Sequence, residues 1–207
     1  MGLVSLICGL LIVGAHVGTL DAIRKNQEIL TREAIGELLP GLQKQVIYGV
    51  LPSGELTQLR GLEDPGPRFF AGYDKAGVLL GVVIEASGRG YADVIRAMYA
   101  YSPQRESIIG LKVIELKETP GLGDKIATDK SFLANFLGLA ARLNGDRSGL
   151  EHPIQAVKHG SKKNAWEVDA ISGATISSRA VGRMLDKSAR ELLPLVVRHR
   201  QRIERGE

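Results

Sequence analysis

The sequence predicts an α+β domain, an antiparallel sheet with flanking helices, carried on one N-terminal transmembrane helix. Three observations predict it. The first twenty residues carry no charged side chain, the middle of the chain has β-branched and aromatic stretches between Gly and Pro breaks, and a long helical pattern closes the chain. With 207 residues, 24% charged and 44% hydrophobic, the chain suits one folded domain with an appendage.

The apolar segment 1–20 is about as long as a helix needs to cross ~30 Å of hydrocarbon. A cleaved signal peptide remains an alternative, although neither a basic leader nor an A-x-A site is seen. A buried core helix is a second alternative, although the segment is apolar on every face. The nearest basic residues, Arg24, Lys25 and Arg32, follow the segment, which by the positive-inside rule favours a cytoplasmic domain.

Residues 21–42 predict a helical connector, because apolar residues recur at helical spacing after a possible Asp21 cap and Pro40-Gly41 stops the pattern. The "DPGP" sequence at 64–67 predicts a loop. Strands are predicted at 45–51, 68–74, 78–87 and 108–117. The stretch 91–102 also fits a strand, but helical periodicity fits much of it nearly as well.

The C-terminal half predicts two helices. One covers 129–144 with Asp129 or Ser131 as its cap, and the other starts at Ser177, capped by Ser177 or Ser178. Between them, 153–168 predicts short strands around a turn. The basic segment 198–207 predicts a solvated, fraying tail, with contact to a membrane surface or an acidic partner as the alternative.

Composition excludes several functions. The net charge of +4 is mild and no basic stripe with interleaved aromatics occurs, so nucleic-acid binding is not expected. The single cysteine, Cys8, rules out an internal disulfide framework and a thiolate-held iron–sulfur cluster within this chain alone. The four histidines form neither an HExxH motif nor an i,i+4 pair, so we expect no metal site.

The first motif is "KETPGLGDKI", residues 117–126, which follows a predicted strand. Pro120-Gly121 forces a turn, and Gly123 permits positive φ or close approach of another group. Local rules alone favour a simple strand-ending turn. The loop nevertheless combines acidic, hydroxyl, apolar and basic side chains, which suits an aromatic ligand with polar edges.

The second motif is "DAISGAT", residues 169–175, directly before the last predicted helix. Gly173 and Ala174 leave the backbone uncovered, and Ser172 and Thr175 offer hydroxyl groups. The following helix supplies free N–H groups and the positive end of its dipole, which favours an anion such as phosphate. A loop with a serine cap is the alternative reading.

Together the two motifs resemble the covalent FMN-binding domain family. "DAISGAT" matches the flavinylation motif Asp-x-x-Ser/Thr-Gly-Ala-Ser/Thr of that family, and "ETPGLG" matches its second signature. The resemblance covers roughly 43–193 and the N-terminal helix, and it is closer to the G subunit of Rnf electron-transport complexes than to the C subunit of the sodium-pumping NADH:quinone reductase. It implies an FMN-binding domain at 43–197.

The resemblance implies that a dedicated flavin transferase uses FAD to attach FMN, through its phosphate, to Thr175. Asp169, Ser172, Gly173 and Ala174 would then be read by the transferase and cradle the phosphate. FMN, held covalently, is the cofactor that this family implies.

The resemblance also places the first motif near the isoalloxazine ring. Leu122 would lie on the ring face and Thr119 at a polar edge, with Gly123 allowing close approach. Glu118 would orient the loop or accept a hydrogen bond. Tyr91 would shield the ring, the alternative being an aromatic side chain in the core.

The implied function is electron transfer in a membrane-anchored component of an Rnf-type ion-translocating ferredoxin:NAD oxidoreductase, not catalytic alone. Because no nucleotide fingerprint and only one span occur, the NAD site and ion path would lie in partner subunits. The family implies the inner membrane, with the domain on the periplasmic or outer side. A component like the C subunit of the sodium pump, a membrane-anchored FMN-binding sensor and a structural component with a vestigial site are the alternatives.

Overall fold

The structure, a computed structural model, describes residues 2–61 and 66–206. The first part of the loop predicted at 64–67 therefore lies outside the described residues. Contacts divide the chain into two compact units, one up to Glu33 and one from Ala34 onward. The larger unit thus begins before the domain boundary that we expected at residue 43.

Helix α1 runs without a break over Gly2–Leu38. Asp21 lies inside it and starts no new helix, so the expected cap there is wrong. The stretch Gly2–Leu20 has a mean hydropathy of 2.2 and none of it is buried, which contradicts a soluble core helix and fits a membrane anchor. The helix ends before Pro40-Gly41 as predicted, with Gly41 at φ +90°.

The larger unit is built on a seven-stranded sheet with the strand order β2-β1-β3-β4-β5-β6-β7, in which all neighbours are antiparallel. This confirms the predicted fold class. The ambiguous stretch 91–102 contains a central strand, Val94–Ser102. The strands are β1 Lys44–Val50, β2 Leu56–Leu59, β3 Arg68–Tyr73, β4 Leu79–Arg89, β5 Val94–Ser102, β6 Ser107–Glu115 and β7 Leu139–Ala140.

The helix predicted at 129–144 is wrong beyond its first turns. Helix α2 covers only Lys130–Ala134, and Asp129 caps it by accepting the N–H of Phe132 at 2.8 Å. Gly138, at φ +119°, then turns the chain so that Leu139 enters the core as part of β7. Sheet pairing and burial here override a helical apolar pattern.

Two further short strands, β8 Gln155–Val157 and β9 Glu167–Asp169, lie where short strands were predicted. They pair in parallel and form a separate two-stranded sheet. Strand β9 leads directly into the DAISGAT motif, so its position fixes where that motif begins.

Both faces of the main sheet are covered. One face packs on helix α3, Thr175–Arg198, which supplies a buried apolar stripe. On the other face, buried Ile35 and Leu39 share a cluster with Phe70 and Met98. The core therefore sits on both sides of the sheet and holds the loops at its edge in place.

The segment 198–207 was expected to be a solvated tail, and the structure corrects this. Helix α4, Arg200–Arg205, buries Ile203 completely, and the Tyr73 hydroxyl donates to the Ile203 carbonyl at 2.5 Å. Arg202 also donates to the Leu56 carbonyl at 2.9 Å. These contacts tie the chain end to strands β2 and β3.

Candidate functional site

A cleft of about 500 Å³ lies where the ETPGLG loop meets the start of α3. This size lies within the usual range for small-molecule sites. Eight of the ten site residues predicted from the sequence line it. The lining residues are Tyr91, Glu118, Thr119, Leu122, Gly123, Gly173, Ala174, Thr175, Ile176 and Ser177.

Glu118 joins the three segments that form the cleft. Its side chain is buried, and its Oε1 accepts the N–H of Ala92 at 3.1 Å while its Oε2 accepts the hydroxyl of Ser177 at 2.5 Å. The carboxylate thereby connects the loop after β4, the ETPGLG loop and the first turn of α3. Glu118 is thus a hydrogen-bond acceptor within the protein, and its role toward a bound ligand stays a prediction.

Two glycines make room for the Glu118 carboxylate. A Cβ on Gly123 would lie 2.6 Å from the Glu118 Oε2 and 2.9 Å from the Ser177 Oγ, and a Cβ on Gly90 would collide with Oε1. Gly123 is therefore needed for close approach of a side chain of this protein. The sequence predicted the close approach but not which group makes it.

Helix α3 begins at Thr175, with Ala174 at the cap position, so the predicted serine caps are wrong. Ser178 lies inside the first turn, where its hydroxyl donates to the Ala174 carbonyl at 2.9 Å and accepts the N–H of Ile171 at 3.1 Å. The Ser178 hydroxyl thus holds the DAISGAT motif, whereas the Ser177 hydroxyl donates to Glu118. No side chain caps this end of the helix, and the residues of its first turn, Thr175, Ile176 and Ser177, line the cleft.

The Thr175 side chain is half-buried at the cleft, and no described residue forms a hydrogen bond with its hydroxyl. Thr175 is also the first residue of a 24-residue helix, so any negative charge attached to it lies at the positive end of the helix dipole. The geometry therefore suits a hydroxyl that carries a phosphoryl group.

The rim of the cleft is apolar and open. Tyr91 is 64% exposed, Leu122 49% and Ile176 51%. The alternative that Tyr91 is a core aromatic is thus wrong. Exposed apolar side chains around a cleft with an anion-favouring end fit a planar aromatic group that carries a phosphate, as a flavin mononucleotide does.

Two predicted site residues, Asp169 and Ser172, do not line the cleft. Asp169 faces the loop that precedes β9, where its Oδ1 accepts the N–H of Gly160 at 2.7 Å. Ser172 is exposed. In the other direction, sequence reasoning missed Ile176 and Ser177. The helix start at Thr175 would have indicated them, because residues of a first turn surround the same N-terminal site.

Comparison with known proteins places this geometry in a family. The FMN-binding domain model matches residues 90–190, which include both motifs and every residue of the cleft. The G subunit of the ion-translocating oxidoreductase complex of Methanosarcina acetivorans is 32% identical over 67% of this chain and 69% of its own length. The corresponding G subunit of Haemophilus influenzae strain PittEE is 30% identical over 91% of this chain and 85% of its own length.

The chain belongs to the G-subunit family of ion-translocating oxidoreductase complexes. Solved structures support the fold of this family member. Shewanella oneidensis NqrC matches with a TM-score of 0.57 and 24% identity over 72% of this chain and 79% of its own. The C subunit of the Na⁺-translocating NADH-quinone reductase from Parabacteroides distasonis matches with a TM-score of 0.58 and 23% identity over 75% of this chain and 78% of its own.

Proposed function

We propose that this G-subunit protein carries FMN esterified to Thr175 and relays electrons within a membrane-bound, Rnf-type ferredoxin:NAD oxidoreductase that moves ions. The observation that supports this most strongly is the Thr175 hydroxyl, which lacks a hydrogen bond to any described residue and lies at the helix end in the cleft. Family membership supports the assignment to a complex.

Each part of the cleft has a role toward the flavin. The N–H groups and dipole of the first turn of α3 stabilise the phosphodiester charge by about 0.3–1 kcal/mol at an exposed site. Leu122 and Tyr91, which line the cleft, would flank the ring, and Thr119 would offer it a polar edge. FMN itself supplies one- and two-electron chemistry, while the protein supplies position and excludes side reactions.

Attachment requires a separate enzyme, a flavin transferase that uses FAD. The Thr175 Oγ forms a bond to the FMN phosphorus, the bond to the AMP phosphate breaks, AMP leaves and the hydroxyl proton passes to a base of the transferase. A half-buried hydroxyl without hydrogen bonds to other described residues suits this step, since no strong interaction needs to be broken before it reacts.

In-gel flavin fluorescence tests the attachment. Co-expression with a flavin transferase should give a fluorescent band that survives denaturing electrophoresis and disappears in Thr175→Ala. Thr128→Ala is the matched control, because Thr128 is exposed and lies outside the cleft. Fluorescence that persists in Thr175→Ala contradicts the assignment.

Reduction by the partner complex separates electron transfer from a sensor role. We expect the flavin to be reduced when the remaining subunits receive electrons from ferredoxin or NADH. A flavin that stays oxidised while the complex turns over favours the sensor alternative. The likeness to the two solved reductase structures concerns the fold and does not favour a sodium-pumping NADH:quinone reductase.

We further propose that α1 anchors the protein in the inner membrane with the domain on the periplasmic or outer side. The resemblance to the covalent FMN-binding family implies this side, whereas Lys25 and Arg32 after the apolar segment favour the opposite one. Protease added to intact spheroplasts decides between them. Digestion of the domain supports the outer side, and full protection contradicts it.

A further inference from the structure

The chain between Glu151 and Glu167 contains no acidic residue, and its middle carries a concentration of positive charge. We call residues 158–164 the basic loop. Its lysines, Lys158, Lys162 and Lys163, are all exposed. None of them lines the cleft at the start of α3.

Glu167, in strand β9, holds the C-terminal end of the basic loop. Its Oε2 accepts the backbone N–H groups of Lys163 and Asn164 at 2.8 and 3.0 Å, and its Oε1 accepts the Asn164 side-chain amide at 3.0 Å. These hydrogen bonds, the one from the Lys163 backbone first, lower the pKa of Glu167 below its usual range. The carboxylate is therefore bonded chiefly to the loop backbone and the Asn164 amide, and the Lys163 charge makes a smaller favourable contribution.

Asp169 holds the other end of the loop and connects it to the flavinylation motif. Its Oδ1 accepts the N–H of Gly160 at 2.7 Å, and its Oδ2 lies 3.3 Å from the His159 Nδ1. The same His159 nitrogen lies 3.0 Å from the carbonyl oxygen of Ala170, the second motif residue. The first two residues of DAISGAT are thus bonded to the basic loop and not to the cleft.

Asn135 completes this arrangement. Its Oδ1 accepts the backbone N–H of Asp169 and the ammonium group of Lys162, both at 3.0 Å. The Asn135 side chain therefore joins the start of the DAISGAT motif to Lys162 of the basic loop. The loop has a defined position relative to the segment that leads to Thr175.

We propose that the basic loop is the docking surface for an acidic face of the enzyme that esterifies Thr175, with Asp169 as the residue that positions it. This inference rests on the proposed function. A transferase must approach a half-buried hydroxyl, so it contacts the surface that adjoins the motif. Three exposed lysines on that surface attract an acidic partner and raise its rate of encounter.

Initial rates of FMN attachment to the purified full-length protein test the proposal, with purified transferase and FAD at varied protein concentration. The variant carries Lys158→Glu, Lys162→Glu and Lys163→Glu. We expect its kcat/KM to fall at least about tenfold through KM, with kcat at saturation nearly unchanged. The matched control reverses three exposed charges away from the motif: Arg60→Glu, Lys75→Glu and Arg105→Glu.

A second variant replaces the same three lysines by glutamine, which removes charge without reversing it and keeps the test valid if the first variant does not fold. Both should also flatten the salt dependence of kcat/KM relative to the wild type. If the variants attach FMN at the wild-type rate, this inference is overturned but the proposed function is not. The same holds if the variants attach FMN normally and bind phosphatidylglycerol vesicles less well, because the loop would then be a lipid-binding surface. A wild type that accepts no FMN overturns the proposed function with it.

Discussion

Replacement of Glu118 by alanine tests the contact on which the cleft is built. The buried carboxylate accepts the Ala92 N–H and the Ser177 hydroxyl, and hydrogen bonds to charged groups are worth about 1.5–3 kcal/mol each. Because the site borders an open cleft, water replaces part of what is lost, and we expect a destabilisation of about 3 kcal/mol. For a domain of this size, that lowers Tm by about 6–12 °C.

Glu118→Gln separates charge from shape. Its amide oxygen can still accept the Ala92 N–H, and its amide nitrogen can donate to the Ser177 hydroxyl. We therefore expect a loss of only about 1 kcal/mol, or about 2–4 °C in Tm. Glu55→Ala, at an exposed glutamate, is the control and should change Tm by less than about 2 °C.

The assay is thermal unfolding of the full chain in detergent, before FMN is attached, monitored by tryptophan fluorescence. Trp166 is the only tryptophan and belongs to the larger unit, so its signal reports that unit even if α1 stays helical in the micelle. A Glu118→Ala protein that unfolds within about 2 °C of the wild type contradicts the role assigned to this carboxylate. The carboxylate would then not hold the three segments together.

Three further predictions use the same assay. Tyr101→Phe should leave the free energy of unfolding unchanged or raise it, because the buried Tyr101 hydroxyl has no partner among the described residues. Tyr99→Phe loses a hydrogen bond to Ser188 and should cost about 1 kcal/mol. A larger loss of stability in Tyr101→Phe than in Tyr99→Phe contradicts this. Gly173→Ala should lower the free energy of unfolding by about 1–2 kcal/mol, because Gly173 has φ +82°. Gly145→Ala should lower it by less, because Gly145 lies in open space and has no positive φ. Equal losses in the two variants contradict backbone strain at Gly173. Because the pKa of Glu167 is lowered in the folded state, its carboxylate stabilises the fold above about pH 4.3, and this contribution is lost as the pH falls through the folded-state pKa. The difference in Tm between the wild type and Glu167→Gln should therefore shrink in acid. A difference that stays constant with pH contradicts this.

The strands could be predicted because their signals are local. β-Branched and aromatic stretches between Gly and Pro breaks predicted β1, β3, β4 and β6. The helix expected at 129–144 failed for the opposite reason. Phe132, Phe136 and Leu139 are spaced as on a helix face, but Gly138 turns the chain and β6 offers Leu139 a pairing partner distant in sequence.

In the site, too, features set by local sequence could be predicted, and features set by contacts distant in sequence could not. The two motifs marked seven residues of the cleft, because each motif carries its own backbone and hydroxyl chemistry, and Tyr91, outside both motifs, was the eighth. Ser177 was assigned as a cap because serine near a helix start usually is one. Its partner, Glu118, is 59 residues away, and Asp169 is bonded to a loop whose position no local rule predicts. Tertiary contacts decided both cases.

Mass spectrometry of the matured protein tests whether FMN is joined to the Thr175 hydroxyl. Tryptic digestion of protein matured with the transferase gives a peptide from Asn164 to Arg179, which contains Thr175 and three serines. Fragmentation of that peptide by tandem mass spectrometry should locate the mass of one FMN less one water on Thr175. An unmodified peptide, or FMN on one of the serines, contradicts the claim.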